Sequence, residues 1–361
     1  MVIVTKINRF RTISFNFHDI AGIQVHSGSA AVYDFFRSEY KNHHVDVLPE
    51  QLPRVTLIFK VTGMLSTKKK GYTSHVHKFF ARFAYRVGIT RKDMNIDVFG
   101  NRISILIVNH FLVQPALRFL VSQQWGLMLH ASAICKNGCS ILFSGQSGKG
   151  KTTAMALALT KGSGDWDFHS DDYNFFVANA ECLTYQTPIH LFRDQLKWLP
   201  ELSPALTYPE RVILHLFGLL RRLTRERIKL PVRISHDRLW PDHCAPAKKG
   251  SVTKAICLME SSDNGFHYRR LTPDSEMIAE WFATNFAELH NFLVLIKKTG
   301  SMHRFDEWVD RWRSREEKHF KEQLEFTRIY QVRCPVFKNA LNSPEVNQFL
   351  GFLDHVVSSD G

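Results

Sequence analysis

Cysteine is scarce in this chain, six in 361 residues (Cys135, Cys139, Cys182, Cys244, Cys257 and Cys334), and the six are scattered. That spread excludes a disulfide framework and fits reduced, partly buried thiols, so a cytoplasmic setting is expected. An uninterrupted apolar run is also missing. The longest, Ile103 to Val121, is broken by Asn109, His110, Gln114 and Arg118, which a membrane span of about 20 apolar residues tolerates poorly, so no membrane segment is expected. Lys6, Arg9 and Arg11 stand where a secretion signal needs apolar residues, and none is read there. Glycine (19) and proline (13) are too sparse for a fibrous or low-complexity chain, and no internal repeat is visible. Acidic residues are the last deficit. Against 47 Lys plus Arg, 34 Asp plus Glu leave a net charge of +13, which points to anionic partners such as nucleotides, acidic peptides or nucleic acid.

What remains is a globular composition, 44% hydrophobic and 22% charged, long enough for two domains. Residues 1 to about 110 read as a β-rich N-terminal region and 111–361 as a second domain with a helical C-terminal part. Thr12–Phe17 and Val55–Val61 read as strands. Lys68, Lys69 and Lys70 form a basic loop ahead of an amphipathic helix expected around His77–Val87. Asn95–Phe99 and Arg102–Val108 are expected to pair as a hairpin about Gly100-Asn101. Phe111–Gln124 reads as a helix, and Leu127–Ile134 and Ser140–Ser144 as strands joined by the turn Lys136-Asn137-Gly138. Cys135 and Cys139 flank that turn. A redox or metal role for them needs two more ligands at matching spacing, so they are read as strand residues. His236, Asp237, Asp242, His243 and Cys244 are likewise read as loop residues. Glu210–Arg227 reads as a helix whose Arg221, Arg222, Arg225 and Arg227 suit the negative end of its dipole, with a substrate patch as the alternative. Ser251–Met259, Gly265–Arg270 and Ile329–Val332 read as strands, the turn at Pro273 leads to a helix over Asp274–Leu289, and a charged helical segment covers Asp306–Gln323.

The decisive motif is Gly145-Gln146-Ser147-Gly148-Lys149-Gly150-Lys151-Thr152, which fits G-x-x-x-x-G-K-[ST] at every constrained position and is followed by Thr153. A chance match in a chain of this length is expected about once in a hundred sequences. An apolar strand precedes it and a strong helix former follows, the setting in which glycines turn N–H groups inward and the helix adds its positive end. Lys151 is placed to reach the β- and γ-phosphates and Thr152 to offer its hydroxyl to magnesium, so ATP and Mg2+ are the expected cofactors. Asp171-Asp172 supplies two carboxylates. A helix over Lys151–Lys161 runs about 16 Å and a returning strand over Trp166–Ser170 about as far, so a strand parallel to Ile141–Ser144 brings the pair back to the phosphates. His130, on the strand beside the one feeding the loop, is a further candidate.

Leu129-His130-Ala131-Ser132, the turn at Asn137-Gly138, the loop Gly145–Thr152 and Ser170-Asp171-Asp172 together resemble the core of the HPr kinase/phosphorylase family, related in fold to ATP-dependent phosphoenolpyruvate carboxykinase. The likeness covers roughly residues 125–175, with Pro188 and the strand–strand–helix pattern of residues 251–289 as fainter signs. It implies an α/β fold with a P-loop kinase core, Lys151 on the phosphates, Thr152 and Asp172 on magnesium, Asp171 as the base that takes a serine proton, and His130 near the transferred phosphate. Adjacent carboxylates titrate as a pair, so the assignment of the two aspartates stays open. Thr152-Thr153 stands where that family has serine and an acidic residue, and its C-terminal phosphorolysis signature is absent, so reversal is not implied. The chain is closer in character to related kinases that phosphorylate a serine of a ribosomally made precursor peptide. Two alternatives stand beside a serine kinase. One is a kinase of the same fold for an amino acid or sugar, and the other a nucleotide-binding switch or scaffold using its charge on nucleic acid. No nucleic-acid fold signature supports the last, so a nucleic-acid partner is not expected. A homo-oligomer is compatible with the sequence. A groove lined by Arg221, Arg222, Lys248 and Lys249 would favour a peptide acceptor.

Overall fold

The computed structural model describes residues 10–63, 69–77, 80–90, 92–124, 126–146, 148–162, 165–225, 230–244, 250–262, 265–272, 274–300, 302–335 and 344–358. It is a mixed α/β protein with two compact units, Met1–Gly126 with Phe286–Lys318, and Leu127–Asn285 with His319–Gly361.

The strands of the first unit are β1 (Arg11–Phe17), β2 (Ala21–Ser27), β3 (His44–Val45), β4 (Arg54–Val61), β5 (Thr73–His77), β6 (Ala81–Ile89) and β7 (Asp93–Gly100). They form one mixed sheet in the order β3-β1-β2-β4-β7-β6-β5, with β2, β4 and β7 mutually parallel and the other pairs antiparallel. Alternation drives it. In β4, Val55, Leu57 and Phe59 are buried while Thr56 and Ile58 are half-buried, the period-two pattern of a strand. The helical stretch Ser104–Gln123 passes through one wider turn at Asn109–Val113. It is apolar and long enough to cross a membrane, but 83% of its most apolar window is buried inside the protein.

Two sequence expectations fail here. The helix expected around His77–Val87 is instead the end of β5 and most of β6. Arg82 and Arg86 lie four apart, a spacing that helix and strand share, and the alternating Phe83, Tyr85 and Val87 decide for period two by facing the core. The hairpin expected at Gly100-Asn101 does not form. Asn101 Oδ1 accepts the Ser104 N–H at 3.0 Å, which starts a helix where the β-branched run suggested a second strand. The boundary expected near residue 110 falls inside the helical stretch. Phe286–Lys318 joins the first unit because Trp312 stacks edge-on against Phe119 at 5.2 Å and Glu316 takes Arg118 in two hydrogen bonds of 2.9 and 2.6 Å.

The second unit holds β8 (Leu127–Leu129), β9 (Ala131–Lys136), β10 (Cys139–Ser144), β11 (Asp167–Ser170), β12 (Asn174–Phe176), β13 (Glu181–Leu183), β14 (Ile189–Leu191), β15 (Val232–Ile234), β16 (Ser251–Ser262), β17 (His267–Leu271) and β18 (Arg328–Pro335). Its main sheet runs β11-β9-β10-β16-β13-β12-β8, with β18 also on β16 and β17 on β18, while β14 and β15 pair separately. β10, β16 and β18 are parallel, and both faces are covered. Ile141, Phe143, Ala255 and Cys257 face one core, built from the helices Lys151–Lys161 and Pro344–Ser358. Leu142, Ile256 and Leu258 face the other, with Trp281, Phe282 and Phe320. The six cysteines are free thiols, and Cys135 and Cys139 are strand residues on either side of the hairpin turn. Burial raises the Cys135 thiol above its ordinary value.

Candidate functional site

β10 ends in a turn that only glycine permits. Gly145 has φ +146°, and a Cβ there would stand 2.8 Å from the Met259 carbonyl oxygen on β16. Lys149 N–H then closes on the Gln146 carbonyl at 3.2 Å, and Gly150, at φ +95°, starts the helix Lys151–Lys161. Gly148 is also left-handed, at φ +84°. Ser147 lies outside the described residues. This strand–loop–helix geometry leaves the helix's first N–H groups at the loop mouth, the usual seat of a phosphate anion. Lys151, nearly buried, donates through Nζ to the Gly145 carbonyl at 2.7 Å, so it spans the loop from within.

The acidic pair reaches this loop by register. β11 pairs antiparallel with β9, which pairs antiparallel with β10, so β11 runs in the direction of β10 one strand removed. Ser170 is opposite Ala133, and Asp171 is thereby carried to Ser132. Asp171 Oδ1 accepts two hydroxyls, Ser132 Oγ at 2.5 Å and Thr152 Oγ1 at 3.0 Å. Asp172 then turns the chain at φ +59°, and Tyr173 N–H returns to the Asp171 carbonyl at 2.7 Å. A left-handed aspartate in so tight a turn is a strained conformation of the kind found at functional sites. It separates the two carboxylates. Asp171 is 2% exposed, whereas the Asp172 side chain is 30% exposed and its Oδ2 lies 3.3 Å from His190 Nδ1 on β14.

Burial is the main reason the Asp171 carboxyl is raised above its ordinary range. The Asp172 charge adds to it, and the Ser132 hydrogen bond, His190 and the Thr152 hydrogen bond offset part of the rise. A buried carboxylate offset only by two hydroxyls and a neighbouring imidazole suits a cation.

His130 sits in the break between β8 and β9. Its carbonyl accepts Ser144 Oγ at 3.0 Å, Trp281 Nε1 donates to the same Ser144 oxygen at 2.9 Å, and its ring lies 5.5 Å from that of Tyr173, directly after the acidic pair. The structure therefore gathers Gly145, Gln146, Gly148, Lys149, Gly150, Lys151, Thr152, Thr153, Asp171, Asp172 and His130 around one end of the sheet. Thr153 is buried in the first turn of the helix.

Sequence reasoning missed Ser132 as a partner of Asp171, although antiparallel register made it readable once β9 and β11 were known to be neighbours. It also missed His190 and Arg233, which face each other across β14 and β15. Their signal is tertiary. Burial lowers the Arg233 guanidinium to about 10, and its pairing with His190 sets it beside the residue that meets Asp172.

The expected basic patches divide. Lys69 stacks over the Phe99 and Tyr72 rings, which gives it a structural role, and Lys68 lies outside the described residues. The helix Tyr208–Leu223 ends with Arg221 and Arg222, which line a pocket with Phe192, Asp194, Gly218 and Leu230, and Arg221 pairs with Asp194 at 3.1 Å. Arg227, Lys248 and Lys249 lie outside the described residues. The same helix exposes Tyr208, Val212, Leu216, Leu219 and Leu223, an apolar stripe at spacings of three and four.

No protein-family model and no curated protein matches this chain, so the reading of the site rests on its own geometry.

Proposed function

We propose that the chain is an ATP- and Mg2+-dependent phosphotransferase with a kinase core of the HPr kinase and phosphoenolpyruvate carboxykinase type, acting on a serine hydroxyl of a protein or peptide. The observation that carries this reading is the contact between Thr152 and buried Asp171 at the mouth of the glycine loop. Both offer hard oxygen donors, the kind magnesium selects, and Thr152 is the second residue of the helix whose first N–H groups stand at the loop mouth. The bound nucleotide supplies the transferable phosphoryl group, and the metal supplies neutralisation of its charge.

Lys151, now on the Gly145 carbonyl, would hold the β- and γ-phosphates, and Thr152 with Asp171 would hold the metal. Asp172, more exposed and oriented by His190, takes the acceptor proton. This division follows the hydrogen bonds and is the reverse of the one the family resemblance implies. Arg233 stands across from His190 as a cation for the charge that develops during transfer.

A peptide acceptor is favoured over a free small molecule by the surface that follows β14. Phe192, Arg193 and Asp194 come directly after it and line the pocket with Arg221 and Arg222, next to the apolar stripe of the helix Tyr208–Leu223. Apolar contacts flanked by arginines suit an amphipathic, acidic segment, in keeping with the net charge of +13.

The test is transfer of labelled γ-phosphate in magnesium buffer to peptides encoded beside the gene, and separately to free serine and polyols. Label is expected on a serine peptide, lost in Asp172→Asn and reduced for peptide in Leu216→Glu. Label on a free small molecule alone would replace the acceptor class. Tight ATP binding without transfer to any of these would favour a nucleotide-dependent switch.

A further inference from the structure

Outside the phosphate loop, a second cluster gathers chemistry that the kinase reading leaves unused. His236, Asp237 and Cys244 each bring one ligand atom within 4.8 Å of the other two. Sequence reasoning put these residues in a loop, and the fold now explains why they meet. The short helix His236–Leu239 follows β15, and the chain then returns to lie along β11, where Phe168 N–H bonds to the His243 carbonyl at 2.9 Å and Phe168 bridges Cys244 in parallel fashion. β11 is the edge strand of the main sheet, so this return covers an otherwise open edge.

We propose that His236, Asp237 and Cys244 bind a borderline-soft divalent transition metal of the zinc class. The donor set is imidazole nitrogen, carboxylate oxygen and thiolate sulfur, which zinc accepts and magnesium does not. In a tetrahedral zinc site, sulfur stands about 3.6 Å from nitrogen or oxygen, and nitrogen about 3.3 Å from oxygen. The present separations, all within 4.8 Å, exceed that arrangement by about 1.2 Å at most. His236 Nε2 is already 2.8 Å from Asp237 Oδ1, a contact that opens slightly to admit the ion.

The surroundings hold these ligands in place. The His236 imidazole is 4% exposed and stacks on Phe168 at 4.5 Å with an interplanar angle of 17°. Asp237 Oδ2 accepts Ser235 Oγ at 3.3 Å, and Gln186 Nε2 lies 4.0 Å from Cys244 Sγ. Such outer contacts orient metal ligands. Three protein ligands leave a fourth position for water. The ion would tie the two ends of the 236–244 segment to each other, and that segment is held to β11 by the bond from Phe168, three residues before Asp171, to His243.

Cobalt(II) titration of the whole protein, with ATP and magnesium absent, tests this. One equivalent is expected to bind with a thiolate-to-cobalt charge-transfer band that zinc displaces. The band is expected to persist in Cys139→Ser and to vanish in Cys244→Ser, with Asp237→Asn weakening the affinity at least tenfold. Absence of the band from the wild type, or its survival in Cys244→Ser, would overturn the proposal. Neither outcome depends on nucleotide binding or phosphate transfer.

Discussion

The two units each bury a carboxylate, and they treat it differently. In the first, Glu316 is 1% exposed and receives Arg118 in two parallel hydrogen bonds, with Trp312 Nε1 adding a third at 2.9 Å. In the second, Asp171 is 2% exposed and its Oδ1 accepts only hydroxyls, while the adjacent Asp172 pushes its carboxyl further up. The first arrangement cancels its own charge and closes the core. The second leaves negative charge to be met from outside, beside the glycine loop. Burial alone therefore does not mark a functional group; how the charge is compensated does.

Breaking either side of this comparison has distinct consequences. The largest is expected at the loop: Lys151→Ala removes the cation for the β- and γ-phosphates and lowers transfer by about 100-fold or more. Next, Arg118→Met leaves Glu316 buried without its partner and lowers stability by about 3 kcal/mol, read by chemical denaturation, with the nucleotide affinity of the folded protein unchanged. Ser132→Ala removes one of the two hydroxyls on Asp171 and lowers transfer about tenfold, a positioning effect that Ser132→Thr is expected to restore in part.

The smallest effect is on stability and sharpens the comparison most. The folded-state pKa of Asp171 lies above its unfolded value, so the neutral form favours the fold. That contribution is present in full below the ordinary carboxylate range and fades as pH rises through the raised value. Asp171 is thus expected to take stability away from the ligand-free wild type on going from acid to neutral pH. Asp171→Asn, neutral throughout, is expected to lose less and to be about 1 kcal/mol more stable at neutral pH, seen as a higher Tm without nucleotide. A less stable variant at neutral pH would show that the carboxylate is already compensated.

The glycine loop's shape was legible because its constraints are local: glycines at left-handed positions and a strand and helix contiguous in the chain. The strands of the second unit were legible as short apolar runs between turns. Asp171-Asp172 could be singled out, but their division into a buried and an exposed carboxylate could not, since it depends on Asp172 adopting φ +59°. The first unit misled where one spacing serves two periods, as with Arg82 and Arg86, and where the Asn101–Ser104 turn leads into a helix that its β-branched residues disguise. His190 and Arg233 were out of reach because a separate two-stranded ribbon brings them together, while His236, Asp237 and Cys244 could be singled out but were read as loop residues because an edge-covering segment decides their approach. No spacing in the chain encodes that approach.

The central claim is that the partly compensated Asp171 carboxylate and the glycine loop form one magnesium–nucleotide site. Calorimetric titration of ATP into the wild type, with and without magnesium, tests it most directly. The account predicts saturable binding that magnesium strengthens, that loses its magnesium dependence in Asp171→Asn and keeps it in Asp172→Asn. Binding indifferent to magnesium in the wild type, or no binding at all, would contradict it.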